Sequence, residues 1–94
     1  MSVEKLSEEG IEERLSSLDG WDRDGDKIER DLEFDDFEAA IAFINRVAPL
    51  AENADHHPEI FNVYNRVELV LTTHDAGGLT QKDFDLAGEI NEVV

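Results

Sequence analysis

Hydrophobic residues near the start of the chain recur with a helical period. After Ser7, a residue type that commonly caps a helix, apolar side chains follow at spacings of four and three, at Ile11, Leu15 and Leu18. This spacing predicts a short helix, which Asp19 and Gly20 end.

Beyond this helix the apolar period falls to two. Ile28, Leu32 and Phe34 share one face of an extended segment, and acidic residues occupy the other face. Asp24 and Gly25 suit a tight turn, so the pattern predicts a β-hairpin with a short first strand at residues 21–23.

The strongest helical pattern comes next. Asp35 is predicted to cap this second helix, with Glu38 completing a capping box. Pro49 cannot donate a backbone hydrogen bond, which predicts a kink or a loosened last turn, and Pro58 requires the helix to end before His57. The predicted buried stripe consists of Phe37, Ala40, Ile41, Ile44, Val47, Ala48 and Ala51.

The last part of the chain predicts two more strands and a third helix. The strands cover roughly residues 59–64 and 66–73, and His74 extends the polar face of the second if that strand continues. Thr80 is predicted to cap the helix, with Asp83 in the capping-box position. Its inner stripe is Phe84, Ala87 and Ile90.

The predicted order is therefore α-β-β-α-β-β-α. An α+β fold, with a four-stranded antiparallel sheet and helices on one face, is the simplest arrangement that buries all the stripes together. We expect one domain over residues 1–94, because a chain of this length supports a single core and contains no linker-like stretch.

Charge narrows the possible partners. The chain has 24 acidic and 8 basic side chains, a formal net charge of −16. Nucleic acid and anionic membranes are poor partners for it, because phosphate binding requires clustered Lys and Arg. We interpret the acidity as adaptation to a salty cytoplasm, in preference to a merely well-solvated surface. The N-terminus lacks a signal-peptide pattern, and the longest apolar run, residues 39–44, is too short to span a bilayer, so we expect a cytoplasmic protein.

The candidate chemistry lies in the histidines. His56, His57 and His74 fall within nineteen residues, near Glu52, Asp55 and Asp83. Histidine has an ordinary pKa of about 6.5, so it can donate or accept protons near neutral pH. The cluster therefore favours acid and base catalysis over three unrelated polar residues.

Two metal sites compete with this interpretation. Three imidazoles and a carboxylate could bind zinc, although consecutive His56 and His57 point to opposite sides of an extended chain. The acids of the hairpin reproduce four ligand positions of a calcium-binding EF-hand loop, but Lys27 replaces its required glycine and a strand follows in place of a helix. We expect neither metal.

The same residues carry a family resemblance. The segments Asp-His-His-Pro-Glu at 55–59, Phe-Asn-Val-Tyr-Asn at 61–65 and Thr-His-Asp-Ala-Gly-Gly-Leu-Thr at 73–80 are similar to the pterin-4a-carbinolamine dehydratases. Glu52 and Asp83 extend the match, and Ile60 stands where family members often have Trp. The resemblance implies dehydration of a 4a-hydroxytetrahydropterin to a quinonoid dihydropterin, without a metal or other cofactor.

The resemblance also implies roles for individual residues. His56 and His74 would be the acid and base, and His57 would position the substrate. Glu52, Asp55 and Asp83 would orient the imidazoles or favour their protonated forms, and Trp21 would wall the pocket.

Finally, the resemblance suggests what else the chain binds. The family suggests a homodimer or a homotetramer. A non-catalytic interaction module is the main alternative, because some animal members also serve as dimerisation partners of a transcription factor. A third possibility is a dehydratase-like protein of molybdopterin metabolism.

Overall fold

Three α-helices and four strands follow one another in the predicted order α-β-β-α-β-β-α. The computed structural model describes residues 4–94, so the first three residues of the predicted domain lie outside the described residues. The elements are α1 (Glu8–Ser16), β1 (Asp22–Asp24), β2 (Lys27–Glu33), α2 (Phe37–Ala54), β3 (Glu59–Val63), β4 (Arg66–Leu71) and α3 (Gln81–Asn91). A short 3₁₀ helix, His74–Ala76, lies between β4 and α3.

The strands form one antiparallel sheet in the order β1-β2-β4-β3. Ile28 of β2 pairs with Leu71 of β4, and Leu32 pairs with Val67, so apolar side chains share one face. The core between this face and the helices includes fully buried residues of every layer, among them Ile28, Leu69, Leu71, Phe43, Val47, Leu86 and Ile90. The predicted fold class is confirmed. No helix within residues 4–94 is both long and apolar enough to cross a membrane.

The start of α1 is confirmed, and its predicted end is wrong. The Ser7 hydroxyl accepts a hydrogen bond from the backbone N–H of Gly10, as an N-cap does. The helix ends at Ser16, however, and not at Asp19. The next two amides donate to carbonyls only three residues back, from Ser17 to Arg14 and from Leu18 to Leu15. This is the tighter 3₁₀ pattern, so the regular α-helix ends before Leu18, the last apolar residue of the repeat.

Two details of α2 also differ from the prediction. Its N-cap is Asp36 and not Asp35, because the Asp36 carboxylate accepts the backbone N–H of Ala39 at 2.8 Å. The helix continues through Pro49 to Ala54. Its last turn closes with regular end-capping hydrogen bonds, so the predicted loosening of that turn is wrong, and the alternative, a kink at Pro49, stays a prediction. The loss of one amide donor at Pro49 is tolerated in a helix whose inner face is buried.

We expect Asp36→Ala to destabilise the protein by about 1 kcal/mol, because the substitution removes the acceptor of the first-turn amide. Asp35→Ala is the matched control, since it removes a neighbouring carboxylate of the same charge and should change the free energy of unfolding by less than about 0.5 kcal/mol. Urea unfolding of both variants measures the difference. Equal losses of stability in the two variants would show that Asp36 is not the N-cap.

The open face of the sheet concentrates negative charge around Glu29. Desolvation, followed by the charges of nearby carboxylates on β1, β2 and β4, raises the pKa of Glu29 above its ordinary value of 4.5. The folded state thus binds this proton more tightly than the unfolded state does. Ionised Glu29 consequently destabilises the fold above its raised pKa, and this effect disappears as the pH falls below 4.5, where both states are protonated.

We therefore expect Glu29→Gln to raise the urea midpoint at neutral pH and low salt. The gain should shrink as the pH is lowered through the raised pKa, and also at molar salt, which screens the neighbouring carboxylates. Glu13→Gln, which removes an exposed charge from α1, is the control. A midpoint that does not change in Glu29→Gln, or a gain that persists below the ordinary pKa, would contradict this electrostatic explanation.

Candidate active site

The three histidines line one open cleft beside the end of β4. The cleft has a volume of about 260 Å³. Small-molecule sites typically measure ~300–1,000 Å³, so this size suits a compact ring system better than a long ligand. The residues that line it are Asp55, His56, His57, Thr72, Thr73, His74, Asp75 and Lys82.

The end of α2 places His56 in the cleft. Asp55 adopts the left-handed conformation, with a φ of 50°. The backbone N–H of His56 then donates to the carbonyl of Ala51, and that of Asp55 donates to Glu52, which is the Schellman arrangement of a helix end. Aspartate tolerates this conformation better than most residues. Asp55 thus reverses the chain and directs the following histidine inward.

A buried carboxylate holds the His56 ring. Asp83 is 0% exposed, and its Oδ1 lies 2.6 Å from Nε2 of His56, which is 9% exposed. The other oxygen, Oδ2, accepts the Thr73 hydroxyl at 2.8 Å and the Thr80 backbone N–H at 2.9 Å. With both carboxylate oxygens acting as acceptors, Nε2 of His56 carries the hydrogen.

The other ring nitrogen of His56 remains available. Within residues 4–94, Nδ1 of His56 has no hydrogen-bond partner. Every fully buried side-chain nitrogen or oxygen in that range has a partner, so Nδ1 is not fully buried. Nδ1 therefore keeps some contact with solvent. An imidazole that donates from Nε2 keeps an acceptor lone pair on Nδ1.

His57 lies at the rim of the cleft. Its Nε2 is 2.8 Å from Oε1 of Glu52 on the last turns of α2. The side chains of His57 and Glu52 are 58% and 77% exposed, so the pair contributes little to stability. The contact joins the His57 ring to the last turns of α2.

His74 reaches the cleft from a different element than predicted. The strand was predicted to end near residue 73, with His74 on its polar face only if it continued, but β4 ends at Leu71 and His74 begins the 3₁₀ helix. This loop is closed by paired backbone hydrogen bonds between Thr73 and Gly78, at 3.1 and 3.3 Å. The His74 ring is exposed and has no hydrogen-bond partner among the described residues. It is therefore open to contact with a ligand.

Of the predicted site residues that do not line the cleft, Glu52 and Asp83 contact its histidines, whereas Trp21 does not. Its ring is buried in the core, and Nε1 donates to Oδ1 of Asn91 on α3 at 2.8 Å. The indole N–H thus has a structural partner, as buried tryptophans usually do. The predicted wall of the pocket is not formed by this residue.

Sequence reasoning missed four residues of the cleft: Thr72, Thr73, Asp75 and Lys82. Thr73 and Asp75 flank His74 directly and Thr72 precedes Thr73, and their place near a histidine in a turn was the available signal. Lys82 is one of only three lysines in the chain and precedes Asp83 in the first turn of α3. The hydroxyl of Thr72 donates to the carbonyl of Asp26 at 2.6 Å, which connects the loop after β4 to the β1–β2 turn.

The structure bears on both metal sites considered above, the calcium-binding loop and the zinc site. The hairpin that replaces an EF-hand helix is confirmed, since Asp22 and Asp24 lie in β1 and Glu33 lies in β2. Among residues 4–94, no three His, Asp or Glu side chains are grouped so that they could hold a metal ion.

A family model described as Pterin 4 alpha carbinolamine dehydratase matches residues 4–93. The chain belongs to this family. A relative from Acidobacterium capsulatum is 57% identical over 90 residues, which cover 96% of this chain and 98% of that protein. It is provisionally named a pterin-4-alpha-carbinolamine dehydratase.

Solved structures agree with this assignment. The crystal structure of a transcriptional coactivator/pterin dehydratase from Brucella melitensis superposes with a TM-score of 0.91 at 41% identity, covering 95% of this chain and 97% of that one. A pterin dehydratase-like protein identified as a RuBisCO assembly factor in the alpha-carboxysome gives a TM-score of 0.63 at 18% identity, covering 78% and 84%. This second likeness concerns the fold alone.

Proposed function

We propose that this protein is a hydro-lyase that converts a 4a-hydroxytetrahydropterin to a quinonoid dihydropterin and water. The observation that carries the proposal is the convergence of His56, His57 and His74 on one cleft, in a chain that belongs to the dehydratase family. The cleft volume of about 260 Å³ suits a bicyclic ring.

The reaction needs two proton transfers and no redox partner. The bond between the ring carbon and its hydroxyl breaks as an acid protonates the departing oxygen, which leaves as water. A base removes the proton from the adjacent ring nitrogen, and that electron pair forms the new carbon–nitrogen double bond. A positioned acid or base typically contributes about 10²- to 10⁴-fold to such a step.

The hydrogen bonds around His56 support its assignment as the base. Asp83 accepts its Nε2–H, so Nδ1 keeps an acceptor lone pair. When Nδ1 takes the substrate proton, the ring becomes cationic at 2.6 Å from the Asp83 carboxylate, which stabilises that charge.

His74 and His57 take the remaining roles. His74 is exposed on the 3₁₀ helix and lines the same cleft, so it is the proposed acid that protonates the departing hydroxyl. His57, held by Glu52 at the rim, is proposed to position the ring. Asp55 supports the site by its left-handed backbone, which sets the direction of His56.

The direct test is the rate at which freshly prepared 4a-hydroxytetrahydropterin loses water, followed by ultraviolet absorbance with and without the protein. We expect acceleration well above buffer, and the same rate after dialysis against EDTA. An unchanged rate would exclude the function. Activity that is lost with EDTA and restored by zinc would support the metal alternative instead.

We also propose that the protein is a cytoplasmic homodimer or homotetramer. Apolar side chains are exposed on the edge strand β3, at Ile60, Phe61 and Val63. Exposed apolar edges commonly mark association surfaces. The strong negative charge supports a salty cytoplasm, since salt screens repulsion between such chains. Light scattering in molar salt that gives the mass of a single chain would exclude this assembly.

A further inference from the structure

We infer that Thr73 is a positioning residue that fixes the orientation of His56 through Asp83; the inference deepens the proposed function and rests on it. Thr73 is buried and does not reach His56 itself. Its hydroxyl lies 2.8 Å from Asp83 Oδ2, and the other oxygen of that carboxylate contacts the His56 ring.

The donor and the acceptor of each hydrogen bond around Asp83 follow from the fact that each threonine hydroxyl has only one hydrogen to donate. Thr73 has one hydroxyl hydrogen, which it donates to the carboxylate. The hydroxyls of Thr73 and Thr80 are 2.8 Å apart, so Thr80 must be the donor in that bond. Thr80 in turn accepts the backbone N–H of Lys82 at 3.3 Å. A chain of donors thus runs from the first turn of α3 to Asp83.

This chain of donors restricts how Asp83 can rotate. Oδ2 is fixed by two donors, the Thr73 hydroxyl and the Thr80 N–H, which leaves Oδ1 to face His56. Hydrogen bonds in series in a buried site strengthen one another. Loss of the Thr73 hydroxyl would leave Oδ2 with a single donor, so the carboxylate could turn and release the His56 ring.

Thr73 also connects the two sides of the cleft. Its backbone pairs with Gly78, and its carbonyl accepts the N–H of Ala76, the last residue of the 3₁₀ helix that carries His74. The side chain of the same residue reaches the carboxylate that holds His56. The distance between the proposed base and the proposed acid therefore depends on this residue.

The test compares Thr73→Val, which removes the hydroxyl at nearly constant volume, with Thr73→Ser, which retains it. We expect Thr73→Val to lower kcat about 10- to 100-fold with little change in KM, as is typical for residues that orient a functional imidazole. Thr73→Ser should restore kcat to within a few-fold of wild type. Wild-type kcat in Thr73→Val would overturn the inference.

A spectroscopic measurement separates this inference from the proposed function. Nitrogen-15 NMR of the imidazoles should show His56 of the wild type with hydrogen on Nε2, and the same in Thr73→Ser. In Thr73→Val the Nε2 hydrogen should exchange with water faster than in the wild type, because the carboxylate that accepts it is held less firmly. Thr72→Val, which loses a hydroxyl bond to Asp26 and none to Asp83, should leave this signal unchanged.

The outcomes are distinct. If the wild type has no dehydratase activity but the His56 signal responds only to Thr73→Val, the function fails and the positioning role holds. If Thr73→Val does not fold, the wild-type spectrum still decides, because hydrogen on Nδ1 of His56 in place of Nε2 would overturn the inference. An equal effect of Thr72→Val on the His56 signal would also overturn it, since the effect would then be general loosening of the loop.

Discussion

Alanine at His56 or His74 is expected to lower kcat for dehydration about 100- to 10,000-fold, because each substitution removes one of two proton transfers. His56→Ala removes the proposed base and leaves Asp83 without the ring that it orients. His74→Ala removes the proposed acid from an exposed position with no protein partner among the described residues, so its effect should be catalytic with little loss of stability.

His57→Ala is the internal control for these variants. The ring lines the same cleft but is paired with Glu52 at the rim, so its loss should mainly raise KM. Steady-state kinetics of all three variants, with circular dichroism to verify folding, separate the roles. Wild-type kcat in either His56→Ala or His74→Ala would refute the acid and base assignment.

The second large effect is expected on stability. Asp83→Ala removes the common acceptor of His56, Thr73 and Thr80 from a site where the carboxylate is 0% exposed. Each buried donor left without a partner costs about 1–3 kcal/mol, and we expect a total loss of roughly 3 kcal/mol or more. Stability and activity should fall together, since the same bonds orient His56.

Asp85→Ala, two residues further along α3, is the matched control. Asp85 is exposed and accepts one bond from Gln81, so its loss should cost less than about 0.5 kcal/mol. Urea unfolding of both variants provides the comparison. If the two lose the same stability, the buried network around Asp83 does not support the fold as proposed.

Much of the fold could be predicted because local and tertiary preferences agree. Thr80 and Asp83 form the predicted capping box, and the alternation of Val67, Leu69 and Leu71 matches the buried face of β4. In such segments the polar residues that start an element stand directly before the apolar repeat that is buried. A single pattern then specifies both the boundary and the face.

The predicted start of a helix was wrong where two neighbouring residues could each act as its N-cap. Asp35 and Asp36 are equally good caps, and Glu38 favoured the first by its spacing, but only Asp36 is placed to accept the Ala39 amide. The predicted loosening of the last turn after Pro49 was wrong, because the buried stripe of α2 continues to Ala51 beyond it. Tertiary packing thus outweighs a local preference.

The candidate site was predicted in composition but only partly in geometry. The clustering of the histidines with Asp83 was visible, whereas the contact between His56 and Asp83 spans 27 positions in the chain and requires the helix end and the cap to meet. The place of Trp21 in the core depends on its partner Asn91, 70 positions away. Such contacts follow from the fold and not from local spacing.

One measurement tests most directly whether the three imidazoles share a cleft that binds a reduced pterin. The wild-type protein is titrated with a stable 7,8-dihydropterin while the NMR signals of the imidazoles and of the Phe61 ring are followed. The structure predicts that the signals of His56, His57 and His74 shift together with a single Kd, and that Phe61 on β3, outside the cleft, does not shift. Histidine signals that stay unchanged at saturating dihydropterin, or that follow three different binding curves, would contradict the account.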